Sequence, residues 1–460
     1  MDPSSLKKNC RTVPGSVTDM TEGSPGRHIL FFAVPLVLGN LFQQLYSMVD
    51  AVIVGRYLGP PALAAVGATG PLNFFVLGFV FGLTSGYAVI VSQEFGSGNM
   101  ERMRHSVAEN IKLNAISALI FTVISLSTAG RVLSLMNTPE QIIGNSSVYI
   151  TILFTGITPV IVYNGAACIM KALGDGKTPL YFLILSSFMN IALDIFFIKT
   201  AGWGIAGAAW ATVISQAFSG IAAVVYIGRK FPLLRMKRTD FRFDPAYAVR
   251  HIAIGLPMAL QFSITAVGVV VMQAALNRFG EIIIAGFSAA QKIENLLMSV
   301  PASIGQAMAT YSGQNMGAGN IDRIRKGTYT TVYASIVLAA LATVFAYLCS
   351  EPILWLFLDG KTVENNTVVA RAVEYMKFSS IFYIPLFLIF VYRNSLQGMG
   401  KTFMPMMGGV MELTARGFAS LFFVIPFGYF GAYAANPLSW TAACLLLMVS
   451  FSVIMHRYPK

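Results

Sequence analysis

The chain has 460 residues, of which 55% are hydrophobic and only 11% are charged. A soluble protein of this length normally carries roughly a quarter charged residues, so the composition excludes an ordinary soluble globular protein. The net charge of +12 is compatible with nucleic acid or with anionic lipid as a partner, and the positions of the charges decide between them.

Long uncharged stretches follow one another along the chain. Residues 59–93, 141–170, 201–228, 252–277 and 327–350 contain no Asp, Glu, Lys or Arg. Each exceeds the roughly 20 residues that a helix needs to cross a bilayer core. The backbone must satisfy its own hydrogen bonds there, which favours helices. The sequence predicts an all-α membrane protein with twelve spans, at about 29–57, 62–93, 105–131, 141–170, 178–199, 203–228, 251–278, 282–314, 324–349, 365–392, 402–427 and 433–455.

Lysine and arginine are distributed unevenly among the segments that join these spans. If the N-terminal segment is cytoplasmic, 21 of the 32 Lys and Arg residues lie in cytoplasmic segments and five lie in outer ones. This asymmetry follows the positive-inside rule and predicts a multi-pass protein of the cytoplasmic (inner) membrane with both termini in the cytoplasm. The positive charge is therefore a signal of topology and of a lipid environment, and no nucleic-acid partner is expected.

The chain contains an internal repeat. The stretch 93–99 (QEFGSGN) recurs as 314–320 (QNMGAGN) at an offset of 221, and 174–178 (GDGKT) recurs as 398–402 (GMGKT) at an offset of 224. Each repeat holds six spans, an even number, so both halves cross the membrane in the same direction. We expect two pseudo-twofold-related six-helix lobes. The predicted parts are a flexible cytoplasmic tail at 1–26, an N-lobe at 27–228, a cytoplasmic linker at 229–249 and a C-lobe at 250–460.

Both repeated motifs are interpreted as turns. The Gly-Lys-Thr ends resemble the end of a phosphate-binding loop, but the glycine required five residues before the second glycine is replaced by Lys171 and Ser395. No nucleotide is therefore expected as a partner. In the predicted turns, glycine ends one helix and threonine caps the next. The Gln-x-x-Gly-x-Gly-Asn stretches have the glycine and asparagine that tight connections favour.

Two carboxylates fall inside predicted spans, where burying a charge is costly. Asp50 lies in the outer half of the first span and Asp194 in the outer half of the fifth. Asn190 precedes Asp194 by one helical turn, Thr212 returns at a similar depth in the sixth span, and Asn164 in the fourth adds a carboxamide. Such oxygens suit a shared proton or a Na+ ion, the latter at Asp50, Asn190 and Asp194.

A structural interpretation of the same acids stays open. Asp50 is close in sequence to Arg56 at a helix end, and Asp194 is close to Lys199, so each acid has a candidate ion-pair partner. The second half lacks acids at the equivalent positions. There, Glu412 and Arg416 are four residues apart on one predicted helix, which favours a structural ion pair.

Further polar residues are candidates for a substrate cavity. Those on the first and seventh spans would contact substrate or bind one another between helices. Lys292 and Glu294, at the start of the eighth span, would either lie at the membrane interface or line the cavity. The candidates are Asn40, Gln43, Gln44, Tyr46, Gln261, Gln273, Lys292 and Glu294.

The combined features resemble a known family. The two six-helix halves, the stretch 49–56 (VDAVIVGR) at the end of the first helix, the paired turns and 190–194 (NIALD) on the fifth helix are similar to those of MATE (multidrug and toxic compound extrusion) transporters. The resemblance covers about residues 27–456. Another branch of that family carries an acid on the seventh helix, whereas residues 257–265 of this chain contain none.

The resemblance implies a multidrug efflux antiporter that exports organic, often cationic, amphiphilic drugs in exchange for Na+ or H+, with the two lobes rocking to alternate access. It implies that the first lobe holds the ion site, at Asp50, Asn164, Asn190, Asp194 and Thr212. No cofactor other than the coupling ion is implied.

Two alternatives come from different classes of protein. A flippase for a lipid-linked saccharide would line its cavity with cations, for which Lys112, Lys292, Arg393 and Arg416 are the only candidates. An enzyme is not expected, because the four histidines lie near helix ends or in tails and the four cysteines have no metal-ligand spacing. A channel or receptor fits the duplicated six-span halves poorly.

Overall fold

The computed structural model describes residues 17–136, 138–242, 244–355 and 362–458. Nearly all of these residues are helical, and no strand occurs among them. The helices are α1 Pro25–Leu58, α2 Pro60–Gly96, α3 Met100–Leu135, α4 Glu140–Thr155, α5 Ile157–Ala172, α6 Lys177–Ile195, α7 Gly204–Lys230, α8 Pro245–Leu276, α9 Glu281–Gly317, α10 Ile321–Leu354, α11 Val363–Ser380, α12 Tyr383–Gly398, α13 Phe403–Phe418, α14 Val424–Phe427, α15 Tyr429–Tyr433 and α16 Ala435–His456.

Each of the twelve predicted spans is helical in the structure. Among the described residues, nine helical segments are long and apolar enough to cross a membrane, and two bent pairs, α4 with α5 and α11 with α12, bring the number to eleven. The remaining predicted span, the eighth at 282–314, coincides with α9, which is long enough at 37 residues. It is more polar than the others because it carries Glu281, Lys292 and Glu294.

The two halves share local irregularities as well as helix order. The fourth span of each half is bent, by 46° between α4 and α5 and by 56° between α11 and α12. The fifth span of each half ends in a π-helical turn, at Phe196–Thr200 and at Ala419–Phe423. A π-turn inserts an extra residue into a helix and redirects the side chains beside it. These matched defects support the internal duplication independently of the sequence motifs.

One repeated turn has a different register from the one predicted. Gly174 adopts a φ of +81°, and its counterpart with positive φ is Gly400, at +77°, an offset of 226 rather than 224. The first turn is also capped differently, because Asp175 accepts hydrogen bonds from the backbone nitrogens of Lys177 and Thr178, at 3.2 and 3.0 Å. The carboxylate of Asp175, and not the hydroxyl of Thr178, therefore caps α6.

The described chain divides into two compact units. The first contains residues 17–22, 34–259 and 313–319, and the second contains 23–33, 260–312 and 320–458. The first unit includes the segment 229–249, where two short 3-10 turns lead to α8. Asp240 of this segment pairs with Arg104 at 3.5 Å, and its carbonyl lies 2.9 Å from Nδ1 of His105, so the segment packs on α3.

An apolar cluster in the first unit positions the candidate site. Buried residues of α1, α2, α4 and α7, together with Ile198 of the π-turn, pack against one another. Ile53 and Val54 belong to this cluster and lie one turn after Asp50, while Ile198 lies one turn after Asp194. The packing therefore fixes the ends of the two helices that carry the intramembrane carboxylates.

Candidate functional site

The two acids predicted to act together are adjacent in the structure. The carboxyl groups of Asp50 on α1 and Asp194 on α6 lie within hydrogen-bonding reach of each other. Asp194 is fully buried, and each residue has a buried Oδ1 atom that makes no hydrogen bond with the described part of the chain. Two carboxylates at this separation repel each other unless a proton or a cation lies between them.

Asn190 connects the acids to their surroundings. It is 1% exposed and lies one turn before Asp194 on α6. We assign its amide from hydrogen bonding, so that the nitrogen donates to Oδ2 of Asp194 at 2.8 Å and to the phenol oxygen of Tyr46 at 3.3 Å. Its oxygen then accepts from the backbone nitrogen of Thr212 at 3.1 Å. The opposite orientation would place the amide oxygen against a carboxylate oxygen, which is unfavourable.

Five residues from three helices thus form one group, which we call the carboxyl-pair cluster: Tyr46, Asp50, Asn190, Asp194 and Thr212. Tyr46 was predicted as a substrate contact, but its hydroxyl belongs to this cluster, where it meets Asn190 and Thr212. The signal for it was its position one helical turn before Asp50 on the same helix face. The amide, phenol and hydroxyl surround the acids with neutral polar groups.

Asn164 is not joined to this cluster by any described contact. Its amide nitrogen donates to the carbonyl of Val160 on its own helix, at 2.8 Å. The sequence places Asn164 in the fourth predicted span but does not fix the direction of its side chain around the helix axis.

The ion-pair interpretation of the two acids is wrong for the described residues. Arg56 and Lys199 are both exposed, and neither forms a salt bridge with Asp50 or Asp194. No described Lys, Arg or His pairs with either acid. The cluster therefore carries two acidic groups with no basic side chain to offset them.

A second buried group lies in the second unit, and we call it the arginine cluster: Glu294, Tyr375, Arg393, Glu412, Arg416 and Asn436. Glu412 accepts from Arg393 and pairs with Arg416 at 3.5 Å, which is the predicted ion pair with a further arginine added. All three side chains are at most a tenth exposed. Because one carboxylate faces two guanidinium groups, this part of the cluster has excess positive charge.

Hydrogen bonds extend the arginine cluster to Glu294. The Nε atom of Arg416 donates to Asn436 at 3.1 Å, Asn436 donates to the hydroxyl of Tyr375 at 3.1 Å, and Tyr375 donates to Oε2 of Glu294 at 3.0 Å. Gly268 of α8 makes room for the guanidinium, since a Cβ there would lie 2.9 Å from Nη1 of Arg416. Tyr375 and Asn436 were not predicted, because a single tyrosine or asparagine carries no sequence signal.

The other residues predicted to line a cavity have separate contacts and different degrees of exposure. Gln261 accepts a hydrogen bond from Gln397 at 2.8 Å, which is the interhelical role left open by the sequence. Gln273 donates to Asn277, one turn further along, at 3.0 Å. Lys292 is exposed whereas Glu294 is 4% exposed, so these neighbours have different environments. The remaining three lie on α1, with Gln43 exposed and Asn40 and Gln44 half-buried.

Duplicated six-helix halves with a buried acidic cluster in one of them define a class of protein, the polytopic α-helical carriers of the membrane. Comparison with known proteins narrows this class. The MatE family model matches residues 35–196 and 257–430, one match in each half of the chain. These matches cover most of the chain, and the protein belongs to the MatE family of transporters.

Individual relatives agree with this family. The chain is 28% identical over 339 residues to the probable multidrug resistance protein YoeA of Bacillus subtilis (strain 168), covering 72% of this chain and 73% of YoeA. It is 27% identical over 369 residues to the probable multidrug resistance protein YpnP of the same organism, covering 79% and 80%.

Solved structures confirm the fold. A structure described as the outward-facing conformation of a multidrug resistance MATE family transporter matches with a TM-score of 0.89 at 19% identity, covering 98% of this chain and all of that one. At this identity the match establishes the fold, twelve transmembrane helices in two six-helix lobes, and leaves the activity to be argued from the site.

Proposed function

We propose that the protein is a multidrug efflux antiporter of the cytoplasmic membrane, exporting organic, often cationic, amphiphiles in exchange for protons. The names of YoeA and YpnP support the substrate class, since both are described as probable multidrug resistance proteins. The excess of Lys and Arg in one set of connecting segments supports cytoplasmic termini.

The contact between Asp50 and Asp194 carries the proposal. Two carboxyl groups in hydrogen-bonding reach of each other repel when both are ionised, so the pair favours binding a proton or a cation. No described basic side chain pairs with either acid, so this charge is left to a bound ion, which we propose is a proton. Such a pair can take up a proton on one side of the membrane and release it on the other.

The orientation of Asn190 favours a proton over a Na+ ion. Sodium needs several oxygen ligands, and the sequence offers Asp50, Asn190 and Asp194 for this purpose. In the orientation that we assign from hydrogen bonding, Asn190 directs its nitrogen towards Asp194 and its oxygen towards the backbone nitrogen of Thr212. A Na+ ion would take the amide oxygen as a ligand and so favour the opposite orientation, which gives up the three hydrogen bonds of this assignment, whereas a proton is compatible with it.

The transport cycle follows from the charge of the pair. When the site faces outward, protonation of Asp50 and Asp194 removes the negative charge that attracts a cationic substrate, and the substrate leaves. The lobes then rock to the inward-facing state, the proton is released to the cytoplasm and a new substrate binds. Protonation can drive this change only if the two states differ in proton affinity. We propose that the packing of α1 against α6 supplies that difference.

The flippase alternative is weaker in the light of the ion pairs. A pyrophosphate group would need free cations, but Arg393 and Arg416 both contact Glu412, and Lys112 pairs with Glu109 at 2.5 Å. Of the four candidate cations, Lys292 is exposed. Arg393, Arg416 and Lys112 are therefore already paired with carboxylates, which disfavours a site for pyrophosphate.

The test is export of ethidium by purified protein in liposomes, with a pH gradient or a Na+ gradient imposed separately. We would compare the wild type with Asp50→Asn, and use Asp322→Asn as a matched control, because Asp322 forms an exposed pair with Arg325. We expect export driven by the pH gradient in the wild type and the control and none in Asp50→Asn. Export driven by the Na+ gradient alone would identify Na+, and not the proton, as the coupling ion. Equal export by Asp50→Asn would overturn the proposed role of the carboxyl pair.

A further inference from the structure

The repeated Gln-x-x-Gly motifs meet each other in the structure. A Cβ atom on Gly96 would overlap the backbone carbonyl of Gln314, and one on Gly317 would overlap the carbonyl of Gln93. The glycine of each motif therefore packs directly against the backbone of the other motif. All four residues belong to the first unit, where the ends of α2 and α9 cross with no side chain between them. The motif is thus a contact between the two halves of the sequence as well as a turn.

The chain's own N-terminal segment is bound beside this crossing. Residues 17–22, which we call the tail segment, precede α1 and lie in the part predicted to be a flexible tail, of which residues 1–16 are outside the described residues. Met20 is fully buried. Its backbone nitrogen donates to Oε1 of Gln314 at 2.8 Å, and its carbonyl accepts from the amide of Asn315 at 3.2 Å. Both of its backbone groups are therefore bonded to the end of α9.

The other side of the tail segment rests on the turn between α5 and α6. A Cβ on Gly174 would overlap the carbonyl oxygen of Thr18, so only glycine leaves room for the segment there. The side chain of Gln314 also donates to the carbonyl of Ala172 at 3.0 Å. Gln314 therefore bonds to the tail segment and to the end of α5 at once. The site combines a turn from the first repeat with a helix end from the second.

We propose that the tail segment is a latch: bound between the 172–174 turn and the end of α9, it holds that turn and that helix end together and must detach before the transporter opens on that side. This inference rests on the proposed function for the alternation itself. The charge distribution predicts that this face is cytoplasmic, because Lys171 and Lys177 flank the turn and Arg323 and Arg325 follow α9. The latch would then stabilise the state that is closed to the cytoplasm.

The test is the rate at which a maleimide labels a cysteine placed in the tail segment. Met20→Cys and, as an exposed control, Ser24→Cys would be made in protein whose four natural cysteines are replaced by serine. In the resting protein we expect Met20→Cys to react roughly 100-fold more slowly than Ser24→Cys, because labelling requires the segment to open locally. While an imposed pH gradient drives export of ethidium, we expect the labelling rate of Met20→Cys to rise. The labelling rate of Ser24→Cys should stay unchanged.

Removing the bonds of the binding site should mimic this opening. Gln314→Ala deletes the acceptor for Met20 and the donor to Ala172, so labelling of Met20→Cys should rise by about tenfold without any substrate or gradient. If Gln314→Ala does not fold, Asn315→Ala is the alternative variant. It removes one hydrogen bond to the tail segment and should raise the labelling rate of Met20→Cys by a smaller factor.

The outcomes separate the latch from the proposed function. Fast labelling of Met20→Cys in folded, resting protein would show that the segment is not bound, and would overturn the latch. Active export with no change in the labelling of Met20→Cys would overturn it as well. If Met20→Cys is protected and Gln314→Ala exposes it but ethidium is not exported, the bound segment is upheld and the proposed function fails.

Discussion

The carboxyl-pair cluster and the arginine cluster each contain two acids, but the charge of Glu412 is offset differently from the charges of Asp50 and Asp194. In the arginine cluster, Glu412 contacts Arg393 and Arg416, so the charges are held permanently by side chains. In the carboxyl-pair cluster, Asp50 and Asp194 contact each other and only neutral polar groups among the described residues. A buried acid with fixed counter-charges stabilises the fold. A buried pair of acids without them must bind a proton or a cation.

This contrast predicts that the same kind of substitution has opposite consequences in the two clusters. Neutralising one acid of the carboxyl pair removes repulsion and should spare the fold while abolishing transport. Neutralising Glu412 removes the only carboxylate among the described residues that contacts the two buried arginines, and it should damage the fold itself.

Asp194→Asn should abolish export of ethidium driven by a pH gradient, because a permanent amide cannot take up and release the coupled proton. Its thermal unfolding temperature should equal or exceed that of the wild type, since the repulsion from Asp50 is gone. Export is measured in proteoliposomes and unfolding in detergent, with Asp322→Asn as control. A lower unfolding temperature for Asp194→Asn would show that this acid stabilises the fold. The carboxyl-pair cluster would then not differ from the arginine cluster in this respect.

Glu412→Gln should lower the free energy of unfolding by about 3–5 kcal/mol, because it leaves Arg393 and Arg416 buried without a counter-charge. The measurement is denaturant unfolding of the purified protein. The exposed pair of Asp322 and Arg325 provides the matched comparison, and Asp322→Asn should cost about 0–1 kcal/mol. If both variants lowered the free energy of unfolding equally, burial would not make the ion pairs of the arginine cluster more important for stability than an exposed pair.

Tyr375→Phe should destabilise the protein by about 1–3 kcal/mol without a specific loss of proton coupling. The phenol donates to Glu294 and accepts from Asn436, and both partners are buried, so removing it leaves two polar groups unsatisfied. Unfolding and pH-gradient-driven export are measured on the same preparation. A complete loss of coupling in stable Tyr375→Phe protein would move the ion site towards Glu294.

Tyr46→Phe should have the smallest effect, a reduction of export by about fivefold, which corresponds to the roughly 1 kcal/mol of one hydrogen bond. The phenol oxygen receives the amide of Asn190 and contacts Thr212, so its removal loosens the orientation of Asn190 and keeps both acids. The rate of ethidium export is the measurement, and Tyr333→Phe, on an exposed tyrosine of α10, is the control. Identical rates for all three proteins would exclude Tyr46 from the cluster.

The sequence predicted the membrane spans and the two acids because both depend on simple physical costs. An uncharged run long enough to cross a bilayer is expected to be a helix. A carboxylate inside such a run is costly to bury and is therefore a candidate functional residue. The helix order and the duplication followed directly. The partnership of Asn190 with Asp194 followed from their spacing on one helix.

Other features depended on information that a linear pattern does not contain. Asn164 falls in a predicted span, but its amide nitrogen donates to the carbonyl of Val160 on its own helix, and the sequence does not predict that choice of partner. The chain of hydrogen bonds from Arg416 through Asn436 and Tyr375 to Glu294 connects four helices that are distant in sequence. The bound tail segment was missed because its polar residues resemble a flexible tail, although Met20 is fully buried and Val17 packs against an apolar cluster.

The most direct test of the account is the release of protons when substrate binds. Ethidium would be added to weakly buffered, purified protein in detergent, and the change in pH recorded for the wild type, Asp50→Asn, Asp194→Asn and the control Asp322→Asn. We predict that the wild type and Asp322→Asn release protons, because the cationic substrate displaces the proton held by the carboxyl pair, and that neither Asp50→Asn nor Asp194→Asn does. Equal release by all four proteins would contradict the account, because the proton would then come from another group.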